Sequence, residues 1–322
     1  MEFQLLMRSF FKYLFLLTLV MLVACEKEIT VDLPRTEPRV VVEASIETGQ
    51  PPFVILTRTQ NYFDPTSIES IAGSFISEAD VRVHDGVSEH PLERICSSAI
   101  PPDLIDEIAA QTGFDPALLA AANICVWTLT DGTTLIGENG RSYRLTVVAD
   151  GRTLTSTTTI PNPVQLDSLW FQLALQQPGD DSLGYIWTKL NDPDTMGNAY
   201  RWATKRLNRG DGRFVPPLFG VFEDRYINGI QNLPVNFFRG REPFGPDDDP
   251  EGGFFKRNDT VAFKFMSIGK REYDFFDSYA NNVASDGDVF STPANIKSNI
   301  DGGLGIWVGY GVFLDTLVCV PQ

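Results

Sequence analysis

The chain has 322 residues, of which 43% are hydrophobic, and its 42 acidic side chains against 26 basic ones give a formal net charge of −16. Such a chain has no basic surplus with which to displace counterions from nucleic acid, and an anionic bilayer surface repels it. Its length suits one large or, more readily, two ordinary domains with real cores.

The first segment carries Arg8 and Lys12 and then runs apolar from Tyr13 to Ala24. Crossing a bilayer takes about 20 apolar residues, so this run is too short, but basic, apolar and small segments in that order make a secretory signal. Leu22-Val23-Ala24-Cys25 resembles the bacterial lipobox, whose cysteine becomes the first mature residue and carries a diacylglycerol on its sulfur. The expectation is a signal peptide at 1–24, lipidation at Cys25, and a lipid-anchored tether leading into the first strand at 25–38. Acyl burial contributes about 0.8 kcal/mol per methylene, so several chains on Cys25 hold the protein on the lipid bilayer without a spanning segment. Removing residues 1–24 takes away Glu2, Arg8 and Lys12 and leaves 298 residues with a charge of −17. Glu26 is not the aspartate that retains many lipoproteins in the inner membrane, which points to the outer membrane. Glu26-Lys27-Glu28 is also similar to a short surface-export signal, although a charged, solvated tether accounts for it equally well.

From Arg39 to Gln60 two β-branched runs flank Thr48-Gly49-Gln50-Pro51-Pro52. Val81–Leu92 and Tyr143–Thr159 repeat the pattern around Asp85-Gly86 and Asp150-Gly151, and Asp-Gly between alternating runs is a strong hairpin signal. These spacings predict an immunoglobulin-like β-sandwich over 39–160. An Ala- and Leu-rich insert at 97–124 interrupts it, with Asp115-Pro116 as N-cap and first helical residue, and reads as two short helices. With Cys25 lipidated, three cysteines remain, and an exported chain can keep a disulfide. Of the three pairings, Cys96 with Cys125 brackets the insert and leaves Cys319 as a buried thiol.

Pro161-Asn162-Pro163 cannot continue a central strand and marks the start of a second β-rich domain over 161–322. Ser168–Leu175, Leu183–Leu190, Tyr200–Leu207 and Thr260–Ser267 read as strands. Tyr273, Phe276, Ala280 and Val283 recur at helical spacing, which predicts one packed helix over Lys270–Ala284. Residues 208–259 form a long aromatic, Gly- and Pro-rich connection, either functional or locally folded.

The stretches "CEKEITVDLP", "VVVEASIETGQPPFVILTRTQNYF", "LNDPDTMGNAYRW", "DRYINGI" and above all "FSTPANIKSNIDGGLGIWVGYG" resemble the Bacteroidota lipoproteins catalogued as domain of unknown function 4249. The resemblance spans nearly the whole mature chain but not the 97–124 insert. It implies an accessory of a TonB-dependent outer-membrane receptor, and it carries over no catalytic residue.

The residues themselves offer little catalytic chemistry. The two histidines, His84 and His90, fall on one hairpin, and no Gly-x-Ser-x-Gly elbow, Cys-x-x-Cys or His-Glu-x-x-His accompanies them. Asp192, Asp194 and Gly197 match an EF-hand loop at positions one, three and six, but Ala203 stands where the bidentate acid belongs. Asp247, Asp248, Asp249 and Glu251 form an acidic loop that reads as a solvated tip. No metal, cofactor or catalytic residue is expected. The best binding candidate is "NFFRGREPF", where Phe237, Phe238, Arg239, Arg241 and Phe244 combine rings with arginines in a turn predicted to be exposed.

These readings converge on a non-enzymatic outer-membrane lipoprotein, displayed at the cell surface, that captures or presents a small molecule, glycan or peptide for a TonB-dependent transporter. A structural or adhesive surface lipoprotein is the main alternative, and a hydrolase of surface polymers the weaker one.

Overall fold

The computed structural model describes residues 36–61, 64–101, 104–174, 182–241, 251–285 and 295–321. Cys25 and its tether, Phe244 and the acids Asp247 to Asp249 lie outside these residues, so the expectations placed on them are not addressed by the fold. Residues Pro38–Gln322 form one compact unit.

The strands are β1 (Val40–Glu47), β2 (Phe53–Arg58), β3 (Asp80–His84), β4 (Glu89–Pro91), β5 (Glu93–Cys96), β6 (Cys125–Thr128), β7 (Ser142–Ala149) and β8 (Arg152–Thr159). They continue as β9 (Leu169–Leu173), β10 (Leu183–Leu190), β11 (Ala199–Arg206), β12 (Val221–Glu223), β13 (Leu233–Phe237), β14 (Phe255–Lys256), β15 (Thr260–Ile268) and β16 (Leu304–Val318). The helices are α1 (Ile68–Ser74), α2 (Ile105–Thr112), α3 (Pro116–Ala121) and α4 (Lys270–Ala284). The fold is mainly β, as the alternating runs predict.

One eight-stranded sheet, in the order β12-β11-β15-β16-β1-β2-β6-β5, runs through the whole unit. Its length depends on β16, whose first half pairs in parallel with β1 (Val42 with Gly305, Ala44 with Trp307) and whose second half pairs antiparallel with β15. Two four-stranded sheets complete the architecture, one ordered β4-β3-β7-β8 and the other built around β10 with β9, β13 and β14. Along β16 the residues Trp307, Phe313 and Leu317 share a side by the two-residue period of a strand. Trp307 packs with Val42, Leu56, Tyr143 and Leu154 of the first core, while Phe313 and Leu317 pack with Phe171, Ile186, Phe237 and Phe263 of the second. Both small sheets therefore cover the same face of the large one, side by side.

This explains why the break expected at Pro161-Asn162-Pro163 falls inside one compact unit. The chain leaves the first small sheet there and crosses β16 at van der Waals contact, where a Cβ on Gly311 would collide with the Pro161 carbonyl. Gly305 is subject to the same limit, with φ at +106° and the Val42 carbonyl where a Cβ would stand. The glycines of "GGLGIWVGYG" thus permit the close approach that lets β16 serve both halves.

The turns follow from their residues. Asp150 and Gly151 both take positive φ, 50° and 70°, as a two-residue hairpin between β7 and β8 requires. In the insert, Asp115 accepts hydrogen bonds from Ala117 and Leu118 amides and Pro116 opens α3, as its sequence predicts. Cys96 and Cys125 face each other across β5 and β6 and are bonded. Cys319 is free and buried, and burial beside Asp259 pushes its thiol up to about 12. Helix α1, which sequence reading does not anticipate, is closed by a reciprocal Ser67–Ser70 capping box. Helix α4 has the predicted limits, but Val283 is exposed, and Phe275 joins Tyr273 and Phe276 against the sheet instead.

Two of the stretches that carried the family resemblance form a single clip. Asp192 of "LNDPDT" is fully buried and accepts from Tyr200 Oη at 2.5 Å and Gly229 N at 3.0 Å. Asp224 of "DRYINGI" accepts in return from the amides of Gly197 (2.8 Å) and Asn198 (2.9 Å). The EF-hand-like spacing therefore serves a turn, since the carboxylate at its first position is spent on the chain itself.

Candidate functional site

The expected contact loop is not a surface loop. Phe237 is 1% exposed and packs on Phe263 and Trp202 with ring centroids 4.9 and 5.1 Å away. Phe238 is half-buried edge-on to Trp202, whose Nε1 donates to the Phe238 carbonyl at 2.9 Å. Arg239, predicted to be exposed, is 7% exposed; it donates to the carbonyls of Phe254 and Gly240 and lies 3.6 Å from Glu251. The reason is strand pairing: Leu233–Phe237 joins β10 as β13 and carries the next residues inward with it. Among the described residues proposed for contact, only Arg241 is exposed, and it belongs to a different feature.

That feature is a groove of about 1410 Å³ on the other face of the large sheet. Strand alternation assigns its floor. On β1, Val40, Val42, Ala44 and Ile46 enter the first core, so Val41, Glu43, Ser45 and Glu47 point the opposite way. On β16 their register partners are Leu304, Ile306, Val308 and Tyr310. On β11, Tyr200 and Trp202 are likewise core residues, leaving Arg201 on the groove side, paired with Met266 of β15. Phe275, Phe276 and Tyr279 of α4 form one wall, and Val215 to Leu218 another.

Two charged groups stand on this floor. Arg201 reaches across β15, its guanidinium 3.7 Å from the Phe276 ring centroid, and donates from Nη1 to Tyr310 Oη at 2.9 Å. Among the described residues that is its one hydrogen bond. Glu43 has neither a hydrogen bond nor an ion pair with any described residue. Its side chain is exposed at the groove; desolvation by the surrounding protein raises its pKa above the usual carboxylate range, and the Arg201 charge pulls it part of the way back. Burial likewise raises the Tyr310 hydroxyl, against the opposing pull of Arg201. Farther along the floor Lys264 Nζ is 2.5 Å from Glu47 Oε2, a closed pair.

The described lining carries four arginines, Arg39, Arg201, Arg213 and Arg241, against the single carboxylate of Glu43, inside a chain of net charge −16. Field lines in a concave, low-dielectric site are focused, so this reversal of sign matters more than the surface average. A second cavity, of about 340 Å³ in the helical insert, is lined by Ser97, Ile105, Leu119 and neighbours and has no charged lining residue. His84 and His90 are half-buried on the β3–β4 hairpin, remote in sequence register from this floor; His84 Nδ1 accepts from Gly86 N, and His90 Nε2 lies 3.4 Å from Asp85.

Sequence reading missed Glu43 and Arg201 because aromatic density drew attention to 208–259. The signal was present in "VVVEASIE", where Glu43 interrupts an apolar strand at the phase opposite to the core. No curated protein matches the chain. The model of the family described as domain of unknown function (DUF4249) matches residues 26–313, nearly all of what lies beyond the signal-like segment, and the chain belongs to that family.

Proposed function

We propose that the protein is a non-enzymatic capture protein, and that the groove over β1, β16 and β11 holds its ligand. The observation that carries this reading is the floor itself: a carboxylate with no partner among the described residues and an arginine with donors to spare, set among apolar side chains in a groove of about 1410 Å³. Ligand sites have this composition, mostly apolar with few and convergent polar groups, and perturbed carboxylates concentrate there. Binding is favoured over hydrolysis because the described lining has no histidine or cysteine and only one carboxylate, so it offers no acid–base pair.

The sequence features give this protein its place. Acylation of Cys25 anchors it in the outer membrane, Glu26-Lys27-Glu28 favours display at the cell surface, and a TonB-dependent receptor takes the ligand onward. The experiment is purification of the native, acylated chain from detergent-solubilised outer membranes. A large β-barrel receptor should co-purify, and Cys25→Ser should leave the membrane pellet. Absence of the receptor, together with turnover of glycans or peptides, would replace this reading with a surface hydrolase. Absence of both would leave the structural or adhesive lipoprotein.

A further inference from the structure

The groove's two charged groups also restrict the ligand's chemistry, on the reading that the groove is a binding site. Glu43 on β1 and Arg201 on β11 line the same groove, yet they form neither a hydrogen bond nor an ion pair with each other. A carboxylate that lines an otherwise apolar and arginine-bearing groove and takes no donor from the described protein is open to a donor brought by a ligand. Arg201 is already oriented, stacked on Phe276 and tied to Tyr310, so its remaining N–H groups face the groove at little further cost in side-chain order. Beside them Val41 and Leu304, half-buried, continue an apolar lining whose inner part, Ile306 and Val308, is nearly covered, and none of these side chains has hydrogen-bonding capacity of its own.

We propose that the groove recognises an α-amino-acid head with an apolar body: the ammonium donates to Glu43, the carboxylate accepts from Arg201, and the apolar part lies along Val41 and Leu304. Each end of the head meets the group the protein leaves open, in two charge-assisted contacts. A purely anionic ligand would leave Glu43 without a donor and set two carboxylates against each other. A purely cationic one would leave Arg201 unused. A neutral sugar would set its outward hydroxyls against Val41, Leu304, Ile306 and Val308, which cannot pair with them.

The test uses the full mature domain, residues 38–322, which is one compact unit, and a matched set of probes: phenylalanine, phenylpropionate lacking the ammonium, phenethylamine lacking the carboxylate, and glucose. Calorimetric titration should give phenylalanine the tightest binding, with each truncated analogue weaker by about tenfold or more, as expected for loss of one charge-assisted contact. Glu43→Gln should weaken phenylalanine while leaving phenylpropionate unchanged or tighter. Arg201→Gln should weaken phenylalanine and phenylpropionate alike and leave phenethylamine unchanged. Melting curves establish that both variants are folded. Phenylpropionate binding as tightly as phenylalanine, or glucose alone binding, would overturn the assignment. So would no binding by any probe, even if the native protein still co-purifies with a receptor; in that case the capture reading stands and only the ligand class falls. Binding in the predicted order without a receptor would support the ligand class and count against the transport role.

Discussion

The two faces of the eight-stranded sheet are made by the same strands, yet one is closed along both halves while the other is covered by α4 over Met266, Ile306 and Val308 and left open beside it. On the closed face Val42, Leu56, Tyr200, Phe263 and Trp307 are almost fully removed from solvent beneath two small sheets. On the open face, one residue away along the same strands, stand Glu43, Ser45, Arg201 and Val41, none of them fully buried. The period of two makes this separation possible, because a strand can commit one phase to stability and release the other. Glu43 stands at the phase that the closed face does not use.

The strongest way to break this comparison is to cut into both faces. Trp307 is 0% exposed, and its Nε1 donates to the Tyr143 carbonyl at 3.0 Å. Trp307→Ala should cost about 3–5 kcal/mol in denaturant unfolding, through lost burial, a cavity and an orphaned acceptor. Val41→Ala, on the open face of the adjoining strand, should cost about 1 kcal/mol or less. Equal losses would mean that the groove face is as structural as the core. Next comes the clip between the two family-like stretches. Asp192→Ala strips the partners from Tyr200 Oη and Gly229 N in a buried setting, so a loss of about 2–3 kcal/mol is expected, read in the same unfolding experiment.

A third measurement concerns the loop that sequence reading favoured. Arg239 is buried against Glu251, which Arg206 also holds at 2.7 Å, whereas Arg241 is exposed at the groove. Arg239→Ala should therefore lower stability by about 2 kcal/mol, less than for a solitary buried pair because Arg206 still neutralises the acid. Arg241→Ala should stay within about 0.5 kcal/mol. Thermal melts of the two variants decide this, and a stable Arg239→Ala would return the loop to the surface.

The contrast between those arginines also shows what the sequence could convey. Elements set by local rules were legible: the Asp-Gly hairpins, the Asp115-Pro116 helix start, the limits of α4 and the Cys96–Cys125 bridge all depend on neighbours in the chain or on a short closed loop. What depended on distant pairing was not. The sheet that unites both halves exists because Val42 meets Gly305, residues more than two hundred positions apart, and no periodicity near either one announces it. The exposure of Arg239 was misjudged for the same reason, since β13 pairs with β10 across the aromatic connection. Glu43 stood in plain view as an acid in an apolar strand, but its meaning required Arg201, brought near only when β11, β15, β16 and β1 align.

The smallest expected effect gives the sharpest test of the open face. The folded pKa of Glu43 is raised by desolvation, against the pull of Arg201; Arg39, Arg213 and Arg241 of the lining, Tyr279 of α4, Tyr310 from β16 and the Glu47–Lys264 pair are further charged or titratable groups around the groove. A raised folded pKa means that the native state holds the proton more tightly than the unfolded chain does. Its contribution to stability is therefore present in full below the unfolded carboxylate value of about 4.3 and is lost as pH rises through the folded value. Glu43→Gln removes that dependence, because the amide stays neutral throughout. At neutral pH the variant should be slightly more stable than the wild type, by no more than about 0.5 kcal/mol given the access of solvent from the groove. Under acid the advantage should vanish, since both side chains are then uncharged. Melting temperatures of the two proteins measured from pH 4 to pH 8 would show the curves separating on the alkaline side only. A variant less stable than the wild type at neutral pH would mean that Glu43 has a stabilising partner in the free protein, and the open face would lose its strongest mark as a binding site.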